Sequence, residues 1–170
     1  RVILIEAGPR ILSSFPEQQS SRATRDLENL GVQVWTSSRV TGISENGVET
    51  GNERIEAATV IWAAGIKAPE INYAFGAELD SQGRIVVEKD LSIPGSSNVF
   101  VAGDQASFSH QTGQPLPCLS PVAIQQGENI ALNILADIQG QKRKNFIYND
   151  KGQMATIGRS RAIVDLGKIR

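Results

Sequence analysis

Asn98-Val99-Phe100-Val101-Ala102-Gly103-Asp104-Gln105-Ala106 is the stretch on which the reading of this chain turns. Three apolar residues run into Ala-Gly-Asp, and a polar loop follows. An apolar run of this length suits a strand buried on both faces, as in a parallel sheet. Gly103 permits a sharp turn where the strand stops. Asp104 then stands at the carboxyl end of the strand, where open α/β sheets hold their ligands. Beyond the loop, Ser120 and Pro121 fit the N-cap and first position of a helix. Val122, Ile124, Ile130 and Ile134 recur at helical spacing after them. A carboxylate on a strand end beside a helix N-terminus is a cradle for a polar cofactor that carries negative charge. The same residues also fit an ordinary strand–loop–helix whose Asp caps a turn.

Composition narrows the classes. The 170 residues suffice for one domain or one and a half modest ones. With 40% hydrophobic and 21% charged residues, the chain has the balance of a globular protein rather than a disordered one. A net charge of −1 without a long basic block argues against nucleic acid and against electrostatic attachment to anionic lipid. The short cluster Lys142-Arg143-Lys144 reads as a solvated turn. The longest apolar run, Val60–Ile66, is too short to span a bilayer. The single Cys, Cys118, allows no internal disulfide and no cysteine metal cluster. The chain opens mid-strand at Arg1-Val2 with no initiator Met and no signal peptide, which points to a fragment of a longer protein.

Working outward from the central stretch, Val2–Ile5 reads as a buried strand that ends at Glu6 and the loop Ala7-Gly8-Pro9. An acid at such a strand end accepts hydrogen bonds from an adenosine ribose and repels a 2′-phosphate. Arg10 nearby weakens that inference, and a solvated Glu fits as well. Pro16 to Leu30 is helical and Gly31 closes it. Val32–Trp35 alternates as a strand, and Arg39–Ser44 with Glu45-Asn46-Gly47-Val48 reads as a hairpin turning at Asn-Gly. A strand near Arg54–Ile55 completes an antiparallel meander. Thr59–Ala63 reads as another apolar strand, ending in Ala64-Gly65, where small residues admit either a ligand or a tightly packed neighbour. Gly83–Val87 is a strand behind an Asp80–Gly83 turn, and Pro94–Ser97 turns into the central stretch. The long helix ends near Gln139-Gly140; Phe146–Tyr148 and Gln153–Arg170 read as strands. No G-x-G-x-x-G occurs in the chain. His110 reads as solvated and Cys118 as a loop or packing residue.

Taken with Pro115–Gly127, P-L-P-C-L-S-P-V-A-I-Q-Q-G, the central stretch resembles the second flavin motif of two-dinucleotide-binding flavoprotein reductases. Adding L-I-E-A-G-P-R-I-L (Leu4–Leu12), W-A-A-G-I-K-A (Trp62–Ala68) and D-K-G-Q-M-A-T-I-G-R (Asp150–Arg159), the whole chain resembles the type II NADH dehydrogenases, the NADH:quinone oxidoreductases of the respiratory chain. The resemblance implies an α/β, partial two-dinucleotide-binding (Rossmann-like) flavoprotein fold with an inserted antiparallel β-meander. It divides the chain into 1–68 as the end of an NAD-binding domain, 69–140 as the end of an FAD-binding domain, and 141–170 as the start of a small C-terminal β domain. It implies FAD and NAD as cofactors. Glu6 and Ala7, with Ala64 and Gly65, would line the NADH site. Gly103 and Asp104 would hold FAD, with Val122 and Ala123 giving backbone N–H groups to the flavin. Gln125 and Gln126 fall where the family meets quinone, and helix surface is the competing reading for both. Where some members have Ala-Gln-x-Ala-x-Gln, this chain has Ser120-Pro121-Val122-Ala123-Ile124-Gln125, with Pro121 in place of the first Gln. The cofactor carries the chemistry, so no catalytic side chain and no metal is implied. The implied partners are NADH and quinone, with no nucleic acid. The full-length parent would be cytoplasmic and membrane-peripheral, and a homodimer is compatible with it. Other reductases of the same fold, sulfide:quinone or ferredoxin-type, remain open, as does an inert nucleotide-binding or assembly fragment.

Overall fold

A computed structural model of the chain describes residues 1–51 and 53–166. Its elements in chain order are β1 (Val2–Ile5), α1 (Glu17–Asn29), β2 (Val32–Trp35), β3 (Val40–Ser44), β4 (Gly47–Thr50), β5 (Glu53–Glu56), β6 (Ile85–Val86), β7 (Ser92–Ile93), β8 (Ser96–Phe100), β9 (Ala106–Ser107), α2 (Ser120–Ile138), β10 (Gln153–Ile157) and β11 (Arg161–Asp165). Short 3₁₀ turns occupy Glu70–Phe75 and Gly103–Gln105. Two units make up the chain: one runs from Arg1 to Ala63 and includes the described residues from Lys151 on, and the other is Ala64–Asp150.

In the first unit β1 and β2 pair in parallel, Val2 opposite Val32 and Ile5 opposite Trp35, with α1 as the crossover. That is a β–α–β unit, the repeat of a Rossmann-type sheet. Helix α1 ends because Gly31 adopts φ +84° and its N–H returns to Glu28 O at 2.9 Å. Its buried side, Ser20 and Ala23, packs with Ile11 and Phe15 and with Ile157 and Ile163 of the β10–β11 hairpin. Arg161 reaches Asp26 at 2.7 Å, and Gln19 donates to Val164 O at 2.9 Å, fixing that hairpin on α1. β3, β4 and β5 form the expected antiparallel meander. Its first turn is Glu45-Asn46, since Ser44 pairs with Gly47, so the turn falls one residue earlier than the Asn-Gly signal suggests. Gly47 is required there for another reason: a Cβ on it would sit 2.0 Å from Ile55 O.

The second unit is built on Ile85, Val87, Leu91, Ile93, Val101, Ala106, Phe108, Val122, Phe146 and Tyr148. β6 and β9 pair in parallel, and β7 and β8 antiparallel about a Pro94-Gly95 turn in which Gly95 has φ +79°. Helix α2 is amphipathic the wrong way round. Its buried side carries Val122 but also Gln126 and Asn133, while Ile124, Leu132, Ile134, Leu135 and Ile138 are exposed.

Residues 141–149 cross this unit as an extended strap held by side chains instead of a sheet ladder. Asn133 accepts the Lys144 N–H at 2.9 Å and donates to Lys144 O at 3.0 Å. Gln111 brackets Tyr148 in the same way, at 2.9 and 3.0 Å. Gln125 brackets Asn149, accepting its N–H at 3.0 Å and donating to its carbonyl at 3.1 Å. Phe146 N–H reaches Lys89 O at 2.8 Å. Arg143 is the centre of an ion-pair network with Asp90, at 2.9 Å, and Asp137, and its guanidinium lies 4.7 Å from the Phe100 ring centroid.

The α/β fold class holds, and several local expectations do not. Val99–Val101 is not an interior parallel strand: β8 ends at Phe100, pairs antiparallel with β7, and leaves only Val101 buried. β1 forms where expected but is not buried; Val2 is 62% exposed. Among the described residues no strand pairs with 59–63, and Ile61 is 85% exposed. An apolar run specifies a segment that can be covered, and covering it takes neighbours on both sides. Phe146–Tyr148 alternates buried and exposed as a strand would, yet it joins no sheet: Phe146 N–H reaches Lys89 O and Tyr148 is held by the Gln111 amide. The basic cluster is not a solvated turn, because Arg143 is held by two carboxylates. Residues 167–170 of the last expected strand lie outside the described residues.

Candidate functional site

Each candidate half-site is a surface feature of its own unit. Two open depressions, of about 620 and 450 Å³, lie on the meander (Glu45, Asn46, Arg54, Glu56) and beside β2 (Glu28, Gly31, Trp35), and none of the candidate residues lines either.

In the second unit the Ala-Gly-Asp turn lies on α2. Gly103 adopts φ +67°, a conformation other residues rarely take, and a Cβ on it would stand 3.3 Å from the Ala123 Cβ. Only a glycine lets this backbone approach the helix so closely. The Gly103 N–H donates to Oε1 of Gln126 at 2.7 Å, and Gln126 is 1% exposed. The turn closes with the Ala106 N–H on Gly103 O. Asp104 projects from it, exposed, and among the described residues its carboxylate makes no hydrogen bond or ion pair. A capping role for Asp104 would need such a bond, so the structure removes that alternative.

Helix α2 presents a bare N-terminus. The cap position is Leu119, not Ser120, and no side chain caps it. No acid stands in its first turn, so the positive end of the helix dipole is not neutralised from within. The Val122 and Ala123 N–H groups both reach Leu119 O, at 3.0 and 3.1 Å. Both N–H groups thus already donate to one carbonyl oxygen, and a ligand at this end would have to share them with it. A carboxylate that accepts from hydroxyls, beside an uncapped helix start that favours negative charge, matches the polar chain and anionic ring of a flavin.

Gln125 and Gln126 are both committed to the chain's own backbone, one to Asn149 and one to Gly103. Ala64 and Gly65 are exposed; Gly65 has φ +100° and nothing lies within 4 Å of a Cβ built on it. Tight packing of a neighbour therefore does not explain this glycine in the described structure.

In the first unit Glu6 ends β1, its N–H on Trp35 O at 2.8 Å. Oε1 accepts the Gly8 N–H at 2.6 Å, which folds the side chain over the loop, and Ala7 is exposed beside it. Ser38 N–H on Glu6 O (3.0 Å) and Ser37 N–H on Gly8 O (2.7 Å) tie the loop to the chain after β2. Arg10 turns away from this corner. Its guanidinium donates to the carbonyls of Leu12 (3.3 Å), Ser13 (2.7 Å) and Phe15 (2.7 Å), stapling the loop that buries Ile11 and Phe15. Sequence proximity placed a cation next to Glu6; the fold uses it elsewhere.

His110, though exposed, has Nε2 2.8 Å from Val87 O and its ring edge-on to Phe108. Cys118 is exposed, with its Sγ 3.7 Å from an Arg84 nitrogen. The amides of Gln111 and Asn133 carry no site chemistry in the sequence, yet they hold the strap. The available signal was an amide stripe, Gln126, Asn129 and Asn133, at helical spacing. Among the described residues no helix is long and apolar enough to cross a membrane.

Residues 1–127 match the family described as pyridine nucleotide-disulphide oxidoreductase. The chain belongs to that family. Among curated relatives of this chain, a type II NADH:quinone oxidoreductase of Mycobacterium tuberculosis is 35% identical over 99% of this chain and 38% of its own length. One from Staphylococcus aureus is 32% identical over 93% of this chain and 40% of its own. The chain thus spans about two fifths of the curated relatives it matches. A Plasmodium falciparum NDH2 structure in complex with NADH superposes with a TM-score of 0.83 over 98% of this chain and 50% of that one, at 16% identity, a likeness of fold. An FAD-dependent pyridine nucleotide-disulphide oxidoreductase from Desulfovibrio vulgaris gives 0.72 at 25% identity, over 91% and 40%. The resemblance to type II NADH:quinone oxidoreductases is borne out.

Proposed function

We propose that these residues are part of an FAD-dependent NADH:quinone oxidoreductase. The observation that carries the reading is the Gly103–Asp104 turn, clamped on α2 with a free carboxylate beside an uncapped helix start. The relatives' names support the same activity. Bound FAD would supply the chemistry, accepting a hydride from NADH at N5 and passing two electrons on to quinone.

The chain's own residues bind and orient. Asp104 would accept hydrogen bonds from the flavin's polar side chain, and Gly103 would let the backbone come close. The α2 start, with the Val122 and Ala123 N–H groups, would favour the negative charge of the reduced ring. Glu6 would accept from the adenosine ribose with the oxygen that Gly8 does not use, with Ala7 beside it giving close backbone approach; in the second unit, Ala64 and Gly65 would leave their own backbone open to a nucleotide. Arg10 is bound to three carbonyls and forms no ion pair with Glu6, which favours NADH over NADPH. A quinone contact by Gln125 would require its release from Asn149.

In a longer protein carrying these residues, NADH oxidation should need flavin, rise with added quinone, and fail with sulfide or dithiol. Replacing Asp104 by Ala should release FAD there. Retention of FAD by D104A at wild-type affinity refutes the assignment of that carboxylate. A second reading, an assembly fragment without activity, is favoured by the lack of any G-x-G-x-x-G turn for a pyrophosphate in these 170 residues. On that account the 170-residue chain alone should bind neither nucleotide tightly. A yellow preparation with stoichiometric FAD overturns it.

A further inference from the structure

We infer that Gln126 is a positioning residue for the flavin-binding turn and not a quinone contact, an inference that rests on the FAD assignment above. Its side chain is 1% exposed, a rare place for an uncharged amide unless it has a fixed partner. That partner is the Gly103 N–H, 2.7 Å from Oε1. Gly103 is the residue whose φ of +67° turns the chain, and its backbone is pressed against Ala123, three residues before Gln126 on the same helix. One helical turn therefore holds the Ala-Gly-Asp element at two points, by contact at Ala123 and by hydrogen bond at Gln126. Both points act on the residue immediately before Asp104. Asp104 itself has no partner among the described residues, so its direction is set by the turn behind it.

The amide also suits the position better than the alternatives. An apolar side chain of similar length would leave the Gly103 N–H without an acceptor beside a buried helix face. A hydroxyl is too short to cross the same gap from α2. A Glu carboxyl, kept neutral by burial, could accept the bond through its carbonyl oxygen, so Glu is the isosteric substitute. The neighbouring Gln125 acts on a different segment, Asn149, which makes the two amides separable by mutation.

The test compares Gln126→Met, which keeps the length and removes the acceptor, with Gln126→Glu, which keeps it, and with Leu132→Gln, exposed on the same helix, as a control. Each is made in the longer flavoprotein carrying these residues, and FAD is the probe. Flavin affinity, the visible absorption spectrum of bound FAD and the KM for quinone are measured together with thermal stability. Q126M should bind FAD roughly tenfold more weakly and shift the flavin spectrum, with KM for quinone unchanged in the flavin-loaded enzyme. Q126E should recover most of the affinity. A purely structural role would lower thermal stability equally in both variants without changing flavin affinity, and that result overturns the inference. So does a rise in quinone KM for Q126M with FAD binding intact. A wild-type protein that binds no flavin overturns the FAD assignment and this inference together, whereas a yellow wild type with an unchanged Q126M refutes this inference alone.

Discussion

Replacing Gly103 by Ala tests the turn that carries the candidate site. An L-residue at φ +67° costs about 1–2 kcal/mol relative to glycine. The stiffer unfolded chain of an Ala variant returns about 0.4–1 kcal/mol of that. The added methyl would also stand 3.3 Å from the Ala123 Cβ, closer than ordinary contact, so the turn or the helix must yield by a few tenths of an ångström. Taken together, the substitution should destabilise the chain by about 1–2 kcal/mol. Gly127→Ala is the matched control. It lies inside α2 with ordinary helical φ and nothing within 4 Å of its Cβ, so it should stabilise by about 0.5–1 kcal/mol. The assay is urea unfolding of the 170-residue chain followed by circular dichroism, with both variants beside wild type. Opposite signs support the geometry. If G103A unfolds at the same urea concentration as G127A, the turn does not need glycine and its close approach to α2 is wrong.

Two further outcomes follow from the same structure. Arg10→Ala should lower stability by about 1 kcal/mol or more, by freeing three carbonyls of the Leu12–Phe15 loop, and leave the NADH-to-NADPH preference of the longer enzyme unchanged; a changed preference in steady-state kinetics refutes the staple. Burial raises the Asp80 carboxyl, but N–H donors at Arg84 and Gln82, the Arg84 side chain and Ser107 outweigh it and hold the group below its ordinary value. A carboxyl lower in the folded than in the unfolded state stabilises above the unfolded value and loses that contribution as pH falls, here below about pH 4. Acid titration of unfolding should show Asp80→Asn less pH-dependent than wild type in that range; an unaltered profile counts against the Asp80–Arg84 pair.

How much was legible beforehand differs from residue to residue. The Ala-Gly-Asp turn, the helix after it, the β–α–β start and the meander were all readable, because glycine placement and apolar spacing are local signals. The Glu6 corner was half readable. Its strand-end acid was plain, but whether Arg10 faces it depends on the path of the Leu12–Phe15 loop. Beyond the amide stripe on α2 the strap was not readable, since Gln111, Gln125 and Asn133 look like surface amides until the backbone they hold is known.

Sequence alone determined the two helices, the meander and the turns, and it placed Asp104 at the end of an apolar run with a helix start farther along the chain. Tertiary structure alone decided that Gln126 grips Gly103, that Arg10 serves its own loop, and that Val2 and Ile61 stand uncovered. Periodicity and turn chemistry act within a few residues, whereas a hydrogen-bond partner or a covering neighbour is chosen by where distant segments come to lie.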